Sequence, residues 1–283
     1  KLWPHSSYNS EIDNITTGFF IPALIESTTY QRIGGLFSSN SLSLAARGIS
    51  ELINNEGKME LIISPILSKQ DVQAMKDATN DEFEKILEKS LMKEFVLEDE
   101  FERDHVFALK YLLKKEFLEI RIDIPRDDLG VPLDAETIQQ ENILSEKRGI
   151  FQDREGDVVS FRGPIDANKD SWEKGRFSIT VDVSWDEGQF QHVEDDIAFF
   201  KEKWTSLDTK KLPDAIKEQL IKDAPKKEQI DLKKHDVPQW AILSNGRTLW
   251  ENQIKAVNAW MNNNYEGIFS VATSGGKTLA AIV

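Results

Sequence analysis

The residues with the clearest chemical purpose lie at the C-terminal end, in Gly267-Ile-Phe-Ser-Val-Ala-Thr-Ser-Gly-Gly-Lys-Thr-Leu-Ala-Ala-Ile-Val283. Ile268–Ala272 is a short apolar run with the character of a strand. Thr273–Gly276 is a loop of small residues, and Thr278 opens an apolar helix. Strand, small-residue loop and helix start in that order make an anion cradle. Loop amides and the positive end of the helix dipole point at one place. Gly275 and Gly276 let the backbone approach a phosphate chain, and the Lys277 ammonium reaches the β and γ phosphates. The Thr278 hydroxyl is placed to ligand Mg²⁺. The expected ligand is therefore a nucleotide, ATP with Mg²⁺, held by Thr273, Ser274, Gly275, Gly276, Lys277 and Thr278. The strict pattern wants Gly where Val271 stands.

The elements that must position this loop begin at Arg247-Thr-Leu-Trp-Glu-Asn-Gln253, which leads into a helix over Ile254–Met261. A glutamine at that distance ahead of a phosphate loop resembles the superfamily 2 (DEAD/DEAH-type) helicases and translocases. By that resemblance Gln253 recognises the adenine edge, Arg247 sits beside the base, and Ser274 stands where many helicases carry Gly. The match covers Leu249–Val283. The residues given contain no Asp-Glu-x-x box, arginine finger or second RecA-like lobe, which hydrolysis would require. The chain therefore reads as a fragment of an ATPase, with residues expected after Val283 and, since it starts at Lys1 without Met, before it.

Upstream, strand-like and helix-like segments alternate. Asn14–Tyr30 suits a short helix limited by Pro22, and Gln31–Phe37 a strand. Leu42–Asn54 has helical spacing, with Gly57 offering a left-handed stop, and Lys58–Pro65 is a strand with an apolar centre. Strand, helix, strand predicts a parallel pair with a right-handed crossover. A long charged helical region follows over Lys69–Phe117, with the acidic run Glu98–Asp104 as a solvated face or bend. Leu118–Ile124 alternates as a strand, and Pro125–Gln140 reads as loop. Three strands are expected within Asn142–Phe151, Asp157–Arg162 and Phe177–Trp185, the first two joined by a hairpin turn at Arg154-Glu-Gly-Asp157. Amphipathic helices follow at Val193–Trp204 and Pro213–Ala224, then a Lys-rich linker at Lys226–His235.

The runs Ile33-Gly-Gly-Leu-Phe-Ser-Ser, Gly57-Lys-Met-Glu-Leu-Ile-Ile-Ser-Pro65, Ser145-Glu-Lys-Arg-Gly-Ile-Phe-Gln-Asp153 and Val159-Ser-Phe-Arg-Gly163 resemble the phospholipase D-like domain that precedes some bacterial superfamily 2 helicases. The resemblance spans roughly residues 19–185. It implies a phosphodiesterase site built from a His-x-Lys motif and a later Gly-Ser-x-Asn element. There the imidazole attacks phosphorus while the lysine and asparagine hold its oxygens. Here Ser145 stands at the histidine position and Lys147 is retained. Gly163 is present, but Pro164 and Asp166 replace the serine and asparagine, and Gly175 and Phe177 replace a later Asn and Glu. A serine hydroxyl without a base is a poor nucleophile, so this domain is expected to be catalytically degenerate. Lys147 is left as a residual phosphate holder or a solvated strand lysine. His105 and His192 are expected as surface or cap residues, and Trp172 and Trp185 as packing.

Composition narrows the function classes. The chain has 283 residues, 40% of them hydrophobic, so it can bury a core. A net charge of −14 excludes a globally basic DNA-coating protein and leaves DNA only a local groove. The absence of cysteine excludes thiolate metal sites and Cys nucleophiles and suits a reducing, cytoplasmic compartment. No apolar run approaches the ~18 residues of a membrane span, so no membrane partner is expected.

The expected architecture is α/β. Residues 1–190 form a degenerate phospholipase D-like domain and 191–236 a helical linker. Residues 237–283 form the first strand and helix of a RecA-like P-loop domain. The implied function is the N-terminal portion of an ATP-dependent DNA helicase or translocase of a bacterial restriction or anti-phage defence system, with DNA and protein partners of that complex. Two alternatives stay open: an active phospholipase D-like phosphodiesterase, and a non-enzymatic assembly module with a broken phosphate loop.

Overall fold

A computed structural model describes residues 4–36, 46–76, 78–93, 110–141, 143, 147–164, 176–222, 224, and Gln253, Ile254, Ala256, Val257 and Trp260. The elements in chain order are β1 (Ser7–Asn9), a π-helical turn (Thr16–Phe20), α1 (Ile21–Glu26), β2 (Ser27–Leu36), α2 (Ala46–Asn54), β3 (Lys58–Ser64), α3 (Lys69–Lys76), α4 (Asn80–Lys93), β4 (Leu118–Asp123), α5 (Ala135–Gln140), β5 (Lys147–Asp153), β6 (Val158–Gly163), β7 (Ser178–Val183), α6 (Phe190–Thr205), β8 (Thr209–Lys211) and α7 (Asp214–Ile221). Residues 110–114 are also helical.

The strands form one eight-stranded mixed sheet, ordered β1-β7-β6-β5-β2-β3-β4-β8. As the strand–helix–strand reading requires, β2 pairs parallel with β3, and β3 pairs parallel with β4. The antiparallel ladder from β2 through β5 and β6 to β7 covers the other half. The β5–β6 hairpin turns where expected, with Gly156 in the left-handed region at φ 90°.

Alternation along the strands separates two faces. One face carries Leu61 and Ile63 of β3, Ile120 and Ile122 of β4, Phe151, Phe161 and Val181. These form the main core with α1, α2, α3, α4, residues 110–114 and α7. At its centre Tyr30 stacks on Phe151 at 4.7 Å between centroids, with Phe19 and Phe20 edge-on to Phe151. The other face carries Ile33, Ile62, Ile150 and Val158, a smaller apolar strip that meets Val193, Ile197, Phe200 and Trp204 of α6. That spacing is one side of a helix. The stretch expected as a helical linker thus supplies α6, lying along the sheet, and β8, which pairs with β4.

Local differences from the sequence reading have physical causes. The first helix ends at Glu26 rather than near Tyr30, where Ser27 turns extended and its hydroxyl donates to the Ala23 carbonyl. The left-handed residue after α2 is Glu56, at φ 55°, not Gly57. Gly57 donates to the Leu52 carbonyl, and a Cβ there would lie 2.4 Å from Leu52 Cδ1. The expected Pro125–Gln140 loop contains α5, whose first turn is capped by Asp134 Oδ1 accepting from the Glu136 and Thr137 amides. The expected Lys69–Phe117 helical region is divided, with separate starts at Ser68 and Thr79. Residues 94–109, with the acidic run, lie outside the described residues. Among the described residues, no helix is long and apolar enough to cross a membrane.

Candidate functional site

Lys147 opens β5, directly opposite Gly163 of β6, so the structure brings together the retained lysine and the retained glycine. It shares a face with Gly149 and Phe151, the main-core face. There it is 7% exposed, which removes the reading of a solvated strand lysine. Gly149 is opposite Arg32 of β2, which is 4% exposed. The Arg32 guanidinium lies 5.5 Å from the Phe161 centroid and 5.8 Å from that of Phe20, and Nη1 donates to the Tyr30 hydroxyl at 3.3 Å. Burial pushes the Tyr30 phenol up, keeping it neutral. Two buried cations, Arg32 and Lys147, therefore occupy neighbouring strands on one face. A Cβ at Gly149 would fall 2.0 Å from Phe161 Cε1, so the glycine admits that ring.

Among the described residues the imidazoles are elsewhere. His5 packs edge-on to Tyr8 with centroids 5.6 Å apart. His192 is on α6, across the sheet from Lys147, with its side chain 56% exposed and Nδ1 3.2 Å from Asp182 Oδ1. It is a surface residue braced by a carboxylate, as the sequence suggests. Ser145, Asp166, Gly175, His105 and Trp172 lie outside the described residues. Phe177 and Trp185 pack against the core. Pro164 is exposed just past β6.

The α6 face holds the feature that sequence reading missed. Asp196 is completely buried (0% exposed). It accepts from Arg148 Nη1 at 2.8 Å, from Arg162 Nε at 2.8 and 2.9 Å, and from the Ser160 hydroxyl at 2.7 Å. Arg162 Nη2 also donates to Asp182 Oδ2 at 3.0 Å. Burial works against the Arg162 charge, but the Asp196 and Asp182 carboxylates outweigh it and hold the guanidinium above its ordinary range. The Arg148 guanidinium also lies 4.0 Å from the Phe199 ring centroid. The available signal was an acid at an inward position of an amphipathic helix, facing two arginines on adjacent strands.

Of the nucleotide-site residues, Gln253 is described: it is helical and buried. Thr273, Ser274, Gly275, Gly276, Lys277, Thr278 and Arg247 lie outside the described residues. The β5–β6 turn gathers Asp153, Glu155 and Asp157 with carboxylate oxygens within 4.8 Å of one another. Asp153 Oδ1 there accepts from the Glu155 and Asp157 amides, which is ordinary turn chemistry.

No protein-family model matches the chain. No curated protein matches it either. Among solved structures, the chain is similar to the phosphatidylserine synthase of Haemophilus influenzae Rd KW20, with 12% sequence identity and a TM-score of 0.36. The alignment covers 73% of this chain and 41% of that one, so this chain spans less than half the length of that protein. The described residues form a mixed α/β fold on an eight-stranded sheet.

Proposed function

We propose that this chain is the N-terminal part of an ATP-dependent DNA helicase or translocase. In this reading the domain built on the eight-stranded sheet is phospholipase D-like and holds DNA or a partner without cleaving it. The observation that carries the second half is the seating of Lys147 against Gly163, with both described imidazoles away from it. A lysine in that place can hold a phosphate oxygen. Covalent phosphodiester chemistry also needs an activated nucleophile.

The nucleotide half rests on the Gly275-Gly-Lys-Thr278 segment and Gln253. The donor set fits ATP and Mg²⁺: an ammonium for the phosphate oxygens, a hydroxyl for the metal, and an amide for the base edge. Bound Mg²⁺ would neutralise charge between the β and γ phosphates. Through the same resemblance, the complete protein would work in the cytoplasm in bacterial restriction or phage defence, with DNA as its track.

Two assays test this. Incubated with single- and double-stranded DNA in EDTA, the full chain should leave both intact. Cleavage that disappears in Ser145→Ala or Lys147→Ala would establish an active phosphodiesterase instead. A saturating non-hydrolysable ATP analogue with Mg²⁺ should raise Tm by about 5 °C, the shift expected when ligand far exceeds Kd. That rise should vanish in Lys277→Ala; a rise of equal size in the variant refutes the phosphate loop.

A further inference from the structure

The strand registers align one row of residues across the whole sheet: Ser7, Thr180, Arg162, Arg148, Ile33, Ile62, Arg121 and Lys211. Residues in register share a face, here the face that α6 crosses. The row contains four cations and no acid. Arg162 stands directly opposite Arg148, and Arg121 directly opposite Lys211. Like charges facing one another across a ladder are destabilising, so the row needs an anion above it.

Helix α6 supplies that anion to Arg162 and Arg148, while strand carboxylates add to it: Asp182 also accepts from Arg162, and Glu119 Oε1 accepts from Arg121 Nε at 3.2 Å. Asp196 bridges the Arg162 and Arg148 guanidiniums. At the other end of α6 the Trp204 ring covers the Arg121 guanidinium at 4.4 Å, and Arg121 Nη1 donates to the Trp204 carbonyl in the last helical turn. Guanidinium forks that take a carboxylate take a phosphate in the same way. The apolar part of this docking is the small cluster around Phe200 and Val193. Beyond α6 the chain is retained by β8, a strand of three residues, and by α7, whose Ile216 and Leu220 lie in the main core.

We propose that α6 is a displaceable strap over a nucleic-acid track. When it lifts, Arg162, Arg148, Arg121 and Lys211 bind the phosphodiester backbone of a nucleic-acid strand, in the place that the Asp196 carboxylate fills in the closed form. Ile33 and Ile62, midway along the row, offer an apolar floor to base faces. The proposal rests on the DNA-binding reading above and names the surface that serves it.

The test is fluorescence anisotropy of the full chain with a labelled single strand of about 16 nucleotides. Phe200→Ala loosens α6 while leaving every charge in place, and should tighten binding about tenfold by raising the fraction of open molecules. Adding Arg148→Gln and Arg121→Gln in that background should abolish the gain. It should also flatten the log–log salt slope by about 1.4, the loss of two phosphate contacts. Unchanged affinity in Phe200→Ala, or a gain that survives the arginine replacements, overturns the proposal. Should Phe200→Ala fail to fold, hydrogen exchange on the wild-type chain decides. Adding the strand should deprotect α6 amides while β5 stays protected; unchanged or stronger α6 protection overturns the strap. DNA binding that ignores these arginines would sink the strap alone. Absence of DNA binding in every variant would sink the DNA reading with it.

Discussion

Asp196 neutralises two arginines from different strands without access to water, so removing it takes away this carboxylate from Arg148 and leaves Arg162 only the Asp182 carboxylate on β7. Asp196→Ala should therefore cost about 3–5 kcal/mol, well beyond an ordinary surface change. Urea denaturation followed by tryptophan fluorescence checks this, and a loss below about 1 kcal/mol would show the network to be dispensable. Gly149 is constrained differently, because the Phe161 ring occupies the space of any side chain added there. Gly149→Ala should cost about 1–3 kcal/mol through overpacking, and Phe161→Leu should recover part of it. At this scale the sequence marked Lys147 as a candidate phosphate holder but not its burial, since a lysine beginning a strand carries no mark of which face it takes. Arg32 stayed hidden for the same reason: its neighbours in the aromatic cluster come from segments far apart in the chain.

Helix starts carry the plainest local code in this protein. Glu82 accepts from both the amide and the hydroxyl of Thr79, and Asp71 does the same for Ser68. These are capping boxes. Thr79→Ala should cost about 1 kcal/mol, read as faster exchange of the first amides of α4. The Thr79 contacts hold the Glu82 carboxyl below its usual range. At Asp134 burial pushes up, but the Thr137 hydrogen bonds and Lys69 prevail and lower it. Groups depressed in the folded state stabilise it above their unfolded values, about 4, and that stability is lost as pH falls through the lower folded values. Exchange at the α4 and α5 starts should thus accelerate as pH falls below about 4, and Asp134→Asn should flatten the α5 response. The sequence showed β3 to β7, and β2 from Gln31 onward, because their apolar patterns are local; the start of β2, Ser27–Tyr30, reads as helix from the sequence. It did not show β1 or β8, three-residue edge strands too short for any period, nor α5, whose cap lies among the turn-forming residues after Pro125.

Across the whole molecule, α6 fits the sheet too closely to belong only to a connector. Its Phe200 and Val193 cover Ile62, Ile150 and Val158, so a chain ending at residue 190 would present that strip and the arginine row to water. Such a truncation should bind a hydrophobic dye and aggregate, whereas a chain ending after α7 should stay monomeric on gel filtration. Equal behaviour of the two would place the boundary before α6. The position of β2 has a different consequence. Its partner on one side, β3, follows after a single crossover, but the partner on the other side, β5, is made only when Lys147–Asp153 is synthesised. On the ribosome, the growing chain must therefore shield one open flank of β2 through the making of β3 and β4, and a chaperone that grips extended backbone would find its best target there.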